Sequence, residues 1–324
     1  MVSPKRARKR STHVTRHALP RVVFVVGATS SGKTDLGLQL AKELNGEIIN
    51  ADSRQIYRDV DIGTGKPKGR RRSSGRRSSY LVEGIPHYLM GFLDPQKTYS
   101  VAEWRKSALK AIKGITKRGK LPLVVGGTGL YISSLVDNYE FPNVPPQPEL
   151  RKAYEMKSLE ELARILLAAD ADAGQVVDLK NKRRVVRALE IISFSGKKMS
   201  SLRERKLHPL VDAFQVGITR TQDELVMRLE AAIDRMVAEG LFAEVQSLLA
   251  KGIPSDAPGM TSIGYRDVAR ALRGEITEAE AIRLLKRQTR QYTKRQFTWF
   301  KRDPRIHWVA SKAEGMRAVT AWLG

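Results

Sequence analysis

The chain contains Gly27-Ala28-Thr29-Ser30-Ser31-Gly32-Lys33-Thr34, which fits the phosphate-loop pattern G-x-x-x-x-G-K-[ST] without a mismatch. The apolar run 21–26 precedes it, and a helical pattern with Leu36 and Leu40 follows it. This order of strand, loop and helix is the context that the motif requires. Its glycines allow backbone N–H groups to converge on phosphate oxygens at the positive end of a helix. The motif therefore predicts a phosphate-binding loop, although a Gly/Ser-rich turn without a ligand is the alternative.

Two side chains of the motif carry chemistry of their own. Lys33 adds a mobile cation that can follow the charge of a phosphate group. Thr34 offers a hydroxyl oxygen, and Mg²⁺ prefers oxygen ligands together with phosphates. We therefore expect the loop to hold a phosphate chain and Thr34 to contribute to a magnesium site.

Composition limits the class of protein. The chain has 324 residues, of which 41% are hydrophobic, so it can bury a core. It has no cysteine, which excludes disulfides, thiolate nucleophiles and cysteine zinc sites. No run approaches the length of a membrane-spanning helix, and the N-terminus lacks the apolar region of a secretory signal. We expect a cytoplasmic protein without a membrane partner; an Arg-rich transit peptide is the alternative for the N-terminus.

The net charge is +24, which favours a polyanionic partner such as nucleic acid. Residues 1–21 and 66–77 each hold seven Lys or Arg and no acid, so the remaining chain still keeps +10. The segment 1–20 is interpreted as a basic, disordered tail that touches RNA or has no specific role. The low-complexity insert Arg70–Ser79 is predicted to be a disordered loop.

Strands and helices alternate along much of the chain. Apolar runs predict strands at 21–27, 47–51, 121–125, 214–219 and 306–309. Periodic segments predict helices at 33–44, 100–117, 221–239, 241–251, 263–273 and 277–301. This alternation predicts an α/β, P-loop NTPase-like fold with a parallel sheet flanked by helices.

A second region interrupts this pattern. Four prolines between residues 141 and 148 indicate a linker, and the chain is then helical and basic to about residue 205. We predict a catalytic domain formed by 21–141 and 206–324, with an inserted all-helical subdomain at 142–205 that binds RNA.

Open parallel sheets bind ligands at the carboxyl ends of their strands. Three such ends carry polar residues: the phosphate loop, the segment 52–55 and the segment 126–129. Asp52 is the only carboxylate among them and is the candidate general base, with a structural or helix-capping Asp as the alternative. The strand 121–125 ends in glycines and Thr128, not in the Asp that helps ATPases of this fold to hold Mg²⁺. The phosphate chain can therefore belong to a diphosphate leaving group.

With these residues in place, the chain resembles the tRNA dimethylallyltransferase family from about Val22 to Val309. The order of several sequence blocks carries the resemblance. The blocks are Gly27–Thr34, Asp52–Arg58 with Asp61–Thr64, Gly84–His87, Asp94-Pro95, Tyr99-Ser100, Val125–Tyr131, Arg183–Glu190, Ile263–Tyr265 and Lys294–Phe300.

The resemblance implies a magnesium-dependent transfer. The dimethylallyl group of dimethylallyl diphosphate would move to the exocyclic N6 amine of the adenosine 3′ of a tRNA anticodon. Lys33 and the phosphate loop would stabilise the departing diphosphate. Asp52 would accept the amine proton, and Thr128 would hydrogen-bond the reacting end. The base would leave the stack of the anticodon stem-loop to reach the cleft.

The resemblance also implies RNA contacts at several segments. They comprise Asp52, Ser53, Arg54, Gln55, Thr128, Arg151, Arg183, Arg184, Val185, Val186, Arg187, Thr261, Gly264, Tyr265, Arg266, Lys294, Arg295, Gln296 and Trp299. On helix 277–301, we predict that Leu285, Tyr292 and Trp299 form a buried stripe with a basic face opposite; solvation alone is the alternative for that face.

The family's usual second arginine contact to the diphosphate is missing near Asp223, and Arg220 is the nearest substitute. Three other functions remain open from the residues: an ATP-dependent small-molecule kinase, a prenyltransferase for free nucleotide, and a non-enzymatic RNA-binding module. The kinase explains the loop and Asp52 but not the basic body. A monomer would suffice for tRNA modification.

Overall fold

The protein is described by a computed structural model that covers residues 19–74, 77–138, 144–145, 147–202 and 208–324. One eight-stranded sheet forms its centre. Its strands are β1 (Arg21–Val26), β2 (Gly46–Asn50), β3 (Arg70–Ser74), β4 (Arg77–Val82), β5 (Ile85–Tyr88), β6 (Leu121–Gly126), β7 (Asp212–Ile218) and β8 (Ile306–Val309).

The sheet order is β3-β4-β5-β2-β6-β1-β7-β8. The six strands β5, β2, β6, β1, β7 and β8, in this spatial order, run parallel to one another. Strand β1 lies between β6 and β7, and its Val23 is opposite both Leu123 and Phe214. This order brings the carboxyl ends of β1, β2 and β6 to neighbouring positions. The predicted parallel sheet flanked by helices is confirmed.

The predicted disordered loop Arg70–Ser79 is wrong for its described residues, 70–74 and 77–79, which form strands. Strands β3 and β4 pair antiparallel, and β4 continues the sheet by pairing antiparallel with β5. Tyr80 and Val82 anchor this extension because their side chains are buried against the apolar core. Ladder hydrogen bonds and these two anchors compensate for the low strand propensity of the Arg/Ser run.

Helices follow most strands. They are α1 (Lys33–Glu43), α2 (Val101–Thr116), α3 (Gly129–Val136), α4 (Pro148–Glu155), α5 (Leu159–Ala169), α6 (Ala173–Val176), α7 (Lys182–Ser195), α8 (Met199–Leu202), α9 (Gln222–Ala238), α10 (Leu241–Ala250), α11 (Tyr265–Leu272), α12 (Glu278–Phe300) and α13 (Lys312–Leu323). Capping boxes start α2, at Ser100 with Glu103, and α9, at Thr221 with Glu224.

Two apolar layers cover the sheet. Alternate residues of β1 face opposite layers: Val22 and Phe24 pack with α2 and α3, whereas Val23 and Val25 pack with α1 and α13. A third cluster joins the chain after β2 to helices α9–α12 above the carboxyl edge of the sheet, with Tyr57 and Tyr265 among its buried members. Helices α9–α12 therefore pack over the carboxyl edge of the sheet.

Helices α4–α8 lie between α3 and β7 in the chain and share their own apolar cluster, in which α5 packs against α7. The division into domains that the sequence suggests for 142–205 stays a prediction. Most of the predicted tail 1–20, up to Ala18, lies outside the described residues. Within the part of the chain that the structure covers, no helix is both long and apolar enough to cross a bilayer.

The buried stripe predicted for α12 is wrong, because a different face of the helix is buried. Leu285 is buried, but Tyr292 is only partly buried and Trp299 is 39% exposed. The buried residues of the helix are Ala281, Leu285, Thr293, Gln296 and Phe300. Two of these buried residues, Thr293 and Gln296, are polar, and the contacts of Gln296 bear on the site.

Candidate active site

The phosphate loop connects β1 to α1 in the expected geometry. Gly32 adopts φ 99°, a left-handed conformation that side chains disfavour, and α1 begins directly after it. The N–H of Ser31 donates to the Ala28 carbonyl at 3.3 Å. The Ser31 hydroxyl is buried and has no hydrogen-bond partner among the described residues. This orphaned polar atom inside the loop fits a phosphate-binding cradle.

Lys33 is folded back on the loop that it follows. Its Nζ donates to the Ala28 carbonyl at 3.2 Å. Burial lowers the pKa of its ammonium group, and the negative charge of Asp52 opposes that shift. An arriving phosphate would add further negative charge beside Lys33 and favour its protonated form.

Asp52 lies two residues after the end of β2, and hydrogen bonds to its neighbours hold it. Its Oδ1 accepts from the N–H of Arg54 at 2.8 Å, and its own N–H donates to Asn50 Oδ1 at 3.1 Å. Asn50 is buried and also donates to the Leu89 carbonyl at 2.9 Å, which fixes the end of the strand. This role of Asn50 could not be predicted from the sequence, apart from its position two residues before Asp52.

Thr128 lies beside Asp52, at the start of α3. Its N–H donates to the Ala51 carbonyl at 3.0 Å, and its Oγ1 accepts from the N–H of Ser53 at 3.0 Å. The hydroxyl of Tyr292 on α12 lies close to the Thr128 side chain, and burial raises the pKa of Tyr292 to about 12. Thr128 therefore connects three segments of the site. Tyr292 was expected only in the apolar stripe of α12.

Two cavities meet at Asp52. A cleft of about 530 Å³ is lined by the loop residues Thr29, Ser30, Lys33 and Thr34. Three cations also line it: the exposed Lys68 and Arg235, and Lys66, which is buried and paired with Asp61. A smaller pocket of about 80 Å³ lies towards α9 and α12 and is lined by Asp52, Arg54, Thr289 and Tyr292. Thr29 and Ser30 border both cavities. One carboxylate thus lies between a phosphate-binding cleft and a second compartment.

The fit of a magnesium ion rests on the residues of the larger cleft. Thr34 places its hydroxyl-bearing side chain in the cleft that also contains Lys33 and Asp52. One hydroxyl suits Mg²⁺, which commonly takes its remaining ligands from phosphate oxygens and water. No cluster of three or more His, Cys, Asp or Glu suited to a metal occurs within the described ranges. The residues fit a phosphate-bound magnesium ion.

Arg220 does not line either of these two cavities. It borders a separate cleft of about 400 Å³ between α9 and α12, together with Arg290 and Lys294. Its Nη1 donates to the Ala310 carbonyl at 3.2 Å. A diphosphate contact from Arg220 stays a prediction.

The structure brings several candidate RNA residues to the mouth of the site. Arg54 donates to Thr261 Oγ1 at 2.8 Å, and Gln55 donates to the carbonyls of Thr64 and Gly65, each at 3.2 Å. Gly264 begins α11, where Arg266 is exposed.

Tyr265 is fully buried, and its hydroxyl donates to Glu244 Oε1 at 2.5 Å. Glu244 also accepts from the N–H groups of Asp61, Ile62 and Gly63. Tyr265 and Glu244 therefore fix the segment 61–63 beside the cleft, a role that the sequence did not indicate for either residue.

On α7, Arg183 and Arg184 are exposed, whereas the side chains of Val185 and Val186 are buried in the apolar cluster of α4–α8. Arg151 and Arg187 both bind the buried carboxylate of Glu190, at 3.0 Å and 2.5 Å, and their side chains are about two-fifths exposed. The two arginines present cationic surface while Glu190 fixes their positions.

Replacing Glu190 with glutamine is expected to destabilise the protein by about 1–3 kcal/mol at pH 7, because two arginines lose their buried partner. These arginines and the N–H of Gln147 lower the pKa of Glu190 although burial opposes them. The carboxylate therefore stabilises the fold fully above about pH 4.5, and this contribution is lost as the pH falls through its lower folded-state pKa.

Thermal unfolding followed by circular dichroism at pH 7 and at acid pH measures this effect. Glu160→Gln, at an exposed position on α5, is the control and should change stability little. An equal loss in both variants at pH 7 would contradict the role of Glu190.

On α12, Lys294, Arg295 and Trp299 are exposed, but Gln296 is only 5% exposed. Gln296 Oε1 accepts from the N–H and the hydroxyl of Thr29, at 2.9 and 3.0 Å. Its Nε2 donates to the Gly127 carbonyl at 2.9 Å. Gln296 therefore faces the interior and the phosphate loop, away from the exposed face of the helix.

Comparisons with known proteins find several relatives of this chain. The family model described as IPP transferase matches residues 55–303. A protein named tRNA dimethylallyltransferase from Carboxydothermus hydrogenoformans is 40% identical over 93% of this chain and 95% of its own length. The protein of the same name from Bacillus subtilis is also 40% identical, over 89% of this chain and 90% of its own length.

Solved structures give the same result. A tRNA isopentenylpyrophosphate transferase from Bacillus halodurans has a TM-score of 0.67 and 33% identity, covering 94% of this chain and 95% of its own. A eukaryotic dimethylallyltransferase captured acting on tRNA has a TM-score of 0.71 and 28% identity, covering 86% of this chain and 69% of its own.

Proposed function

Because the chain belongs to the tRNA dimethylallyltransferase (IPP transferase) family, we propose that its cleft transfers a dimethylallyl group to an adenosine of tRNA through Lys33, Asp52 and Thr128. The chain is an enzyme that prenylates tRNA, and dimethylallyl diphosphate is its co-substrate. The observation that carries the residue assignment is the position of Asp52 between the phosphate-loop cleft and the second pocket.

The reaction breaks the bond between C1 of the dimethylallyl group and the diphosphate oxygen. A bond forms between C1 and the N6 amine of the adenosine 3′ of the anticodon. The diphosphate leaves with the bonding electron pair, and Lys33 and the loop amides stabilise its charge. Asp52 accepts the proton that the amine releases. Thr128, next to Asp52, holds the amine by a hydrogen bond.

When bound, Mg²⁺ would neutralise part of the charge on the leaving diphosphate. Thr34 would supply its hydroxyl oxygen to the ion. The loop residues Gly27, Ala28, Thr29, Ser30, Ser31 and Gly32 would bind the phosphate oxygens, with Ser31 Oγ as a free partner inside the loop.

The anticodon stem-loop would lie across the exposed cations of α7 and α12. Arg183, Arg184, Lys294 and Arg295 are exposed and suit phosphates, and the partly exposed Trp299 suits stacking with a base. Ser53, Arg54, Gln55 and Thr261 line the mouth through which the adenosine would enter. The cytoplasmic location, the monomeric state and the role of the basic tail stay predictions.

Labelled dimethylallyl diphosphate, incubated with the protein, Mg²⁺ and a tRNA carrying adenosine 3′ of its anticodon, tests the function directly. A parallel reaction contains γ-labelled ATP instead. We expect label in the tRNA and no consumption of ATP. Consumption of ATP without prenyl transfer would favour the kinase alternative, which the names of the relatives do not support.

Replacing Arg183 and Arg184 together with serine is expected to weaken tRNA binding and to reduce its dependence on salt. Each phosphate contact that is lost lowers the slope of log Kd against log salt by about 1, so the double variant should lose about 2. Filter binding between 50 and 200 mM salt measures the slope.

Arg317→Ser is the matched control, because Arg317 is exposed on α13 and α13 packs on the opposite face of the sheet from α2 and α3. An unchanged slope in the double variant would mean that α7 does not contact RNA phosphates.

A further inference from the structure

Gln296, one of the two buried polar residues of α12 together with Thr293, connects two strand-end loops. Its amide group makes three hydrogen bonds to main-chain or side-chain atoms of Thr29 and Gly127, all between 2.9 and 3.0 Å. Tyr292, one turn earlier, lies close to the side chains of both Gln296 and Thr128. Thr128 in turn binds Ser53, next to Asp52. One helix therefore holds the phosphate loop, the 126–129 loop and the segment after β2 together.

Side chains of α12 pack directly against the main chain of the 126–129 loop. A Cβ atom added to Gly127 would lie 2.2 Å from Gln296 Nε2, and one added to Gly129 would lie 2.2 Å from the Trp299 ring. Real side chains do not approach this closely, so a residue larger than glycine at either position would displace Gln296 or Trp299. The hydrogen bonds of Gln296 are consequently part of a tight contact and not of an adjustable surface.

The amide of glutamine is the group that this place requires. Its oxygen accepts two hydrogen bonds from Thr29 while its nitrogen donates one to Gly127. A charged carboxylate could accept but not donate, and it would add negative charge beside the diphosphate site. A leucine would leave the N–H of Thr29 and the carbonyl of Gly127 without this partner.

We infer that Gln296 is a positioning residue that fixes the phosphate loop for binding of dimethylallyl diphosphate. The inference rests on the proposed function of that loop as the diphosphate site. The N–H and hydroxyl of Thr29 are turned to Gln296, which leaves the other amides of the loop for the phosphates. Gln296 therefore acts from inside the protein, although its neighbours Lys294 and Arg295 are exposed.

Gln296→Leu is expected to raise the KM for dimethylallyl diphosphate by about 10- to 100-fold, the loss typical of side chains that orient binding groups. The Kd for tRNA should change less than threefold, because the side chain does not reach the surface. Steady-state transfer of labelled dimethylallyl groups at saturating tRNA gives kcat and KM separately, and filter binding gives the Kd.

Gln296→Glu adds a readout that a general packing defect would not move. At pH 8 the carboxylate lacks the donor to Gly127, and its KM should be at least as high as that of the leucine variant. Towards pH 5.5 the buried carboxyl gains a proton and can again donate a hydrogen bond. The ratio of the KM of the variant to the KM of the wild type should therefore fall back towards 1. Tyr292, which contacts Gln296, stays protonated over this range because its pKa is raised to about 12.

Gln291→Leu is the matched control, since Gln291 is an exposed glutamine on the same helix. It should leave both constants near wild type. Lys33→Ala reports on the diphosphate site itself. If Lys33→Ala raises KM and neither Gln296 variant does, the inference is wrong while the proposed function stands. If Lys33→Ala does not affect KM or kcat, the proposed site fails first.

Two further outcomes would overturn the inference. A raised Kd for tRNA with an unchanged KM would assign Gln296 to RNA binding, as the sequence alone suggested. A raised KM in Gln296→Glu that does not vary with pH would indicate disrupted packing. If Gln296→Leu does not fold, as judged by circular dichroism, the pH profile of Gln296→Glu decides the question.

Discussion

Asp52→Asn is expected to lower kcat for prenyl transfer by about 10²- to 10⁴-fold, the usual contribution of a general base. Asparagine keeps the oxygen that accepts from the N–H of Arg54, so the turn after β2 should persist. What is lost is the group that takes the proton from the adenosine amine. The Kd for tRNA should change little.

Single-turnover transfer of labelled dimethylallyl groups, with filter binding of tRNA in parallel, measures both quantities. Asp35→Asn is a suitable control because Asp35 is an exposed carboxylate in the first turn of α1. A kcat close to wild type for Asp52→Asn would remove Asp52 as the base. It would also leave the cleft without an assigned proton acceptor.

Lys33→Ala is expected to lower kcat by about 10²- to 10³-fold, which is typical when one group that stabilises developing negative charge is removed. In the structure the ammonium group donates to the Ala28 carbonyl, so truncation removes this one hydrogen bond of the loop together with the charge. The effect should be larger on kcat than on the affinity for tRNA, because Lys33 acts on the leaving diphosphate.

The same transfer assay measures this loss, and Lys42→Ala at the other end of α1 is the control. Lys42 is an exposed cation paired with Glu83. If both variants lost activity equally, the effect would come from α1 as a whole and not from charge at the phosphate loop.

Much of the sheet could be predicted from the sequence. Strands β1, β6 and β8 lie within one residue of their predicted limits, because short apolar runs bounded by Gly or charged residues define them. The pairing of β3 with β4 could not be predicted, because the Arg/Ser run lacks strand propensity and depends on the pairing of β4 with β5. The apolar run at Tyr80 was the available signal.

The site shows the same division between local and tertiary information. The proximity of Lys33, Asp52 and Thr128 follows from strand order, since loops at the carboxyl ends of neighbouring strands converge. The buried location of Gln296 does not follow from the sequence. The seven-residue repeat of Leu285, Tyr292 and Trp299 gives a spacing, but it does not show which face of α12 is buried. A glutamine among basic residues suggests an exposed position, and only packing against Gly127 shows otherwise.

The antiparallel hairpin has a consequence for how copies of the protein meet. Among the residues that the structure describes, β3 is the last strand on its side of the sheet, so part of its main chain has no neighbouring strand there. Such an edge can recruit an identical edge from another molecule and start aggregation. Arg70, Arg71 and Arg72 are exposed along it, and two such rows would repel each other. The arginine-rich edge therefore favours colloidal stability.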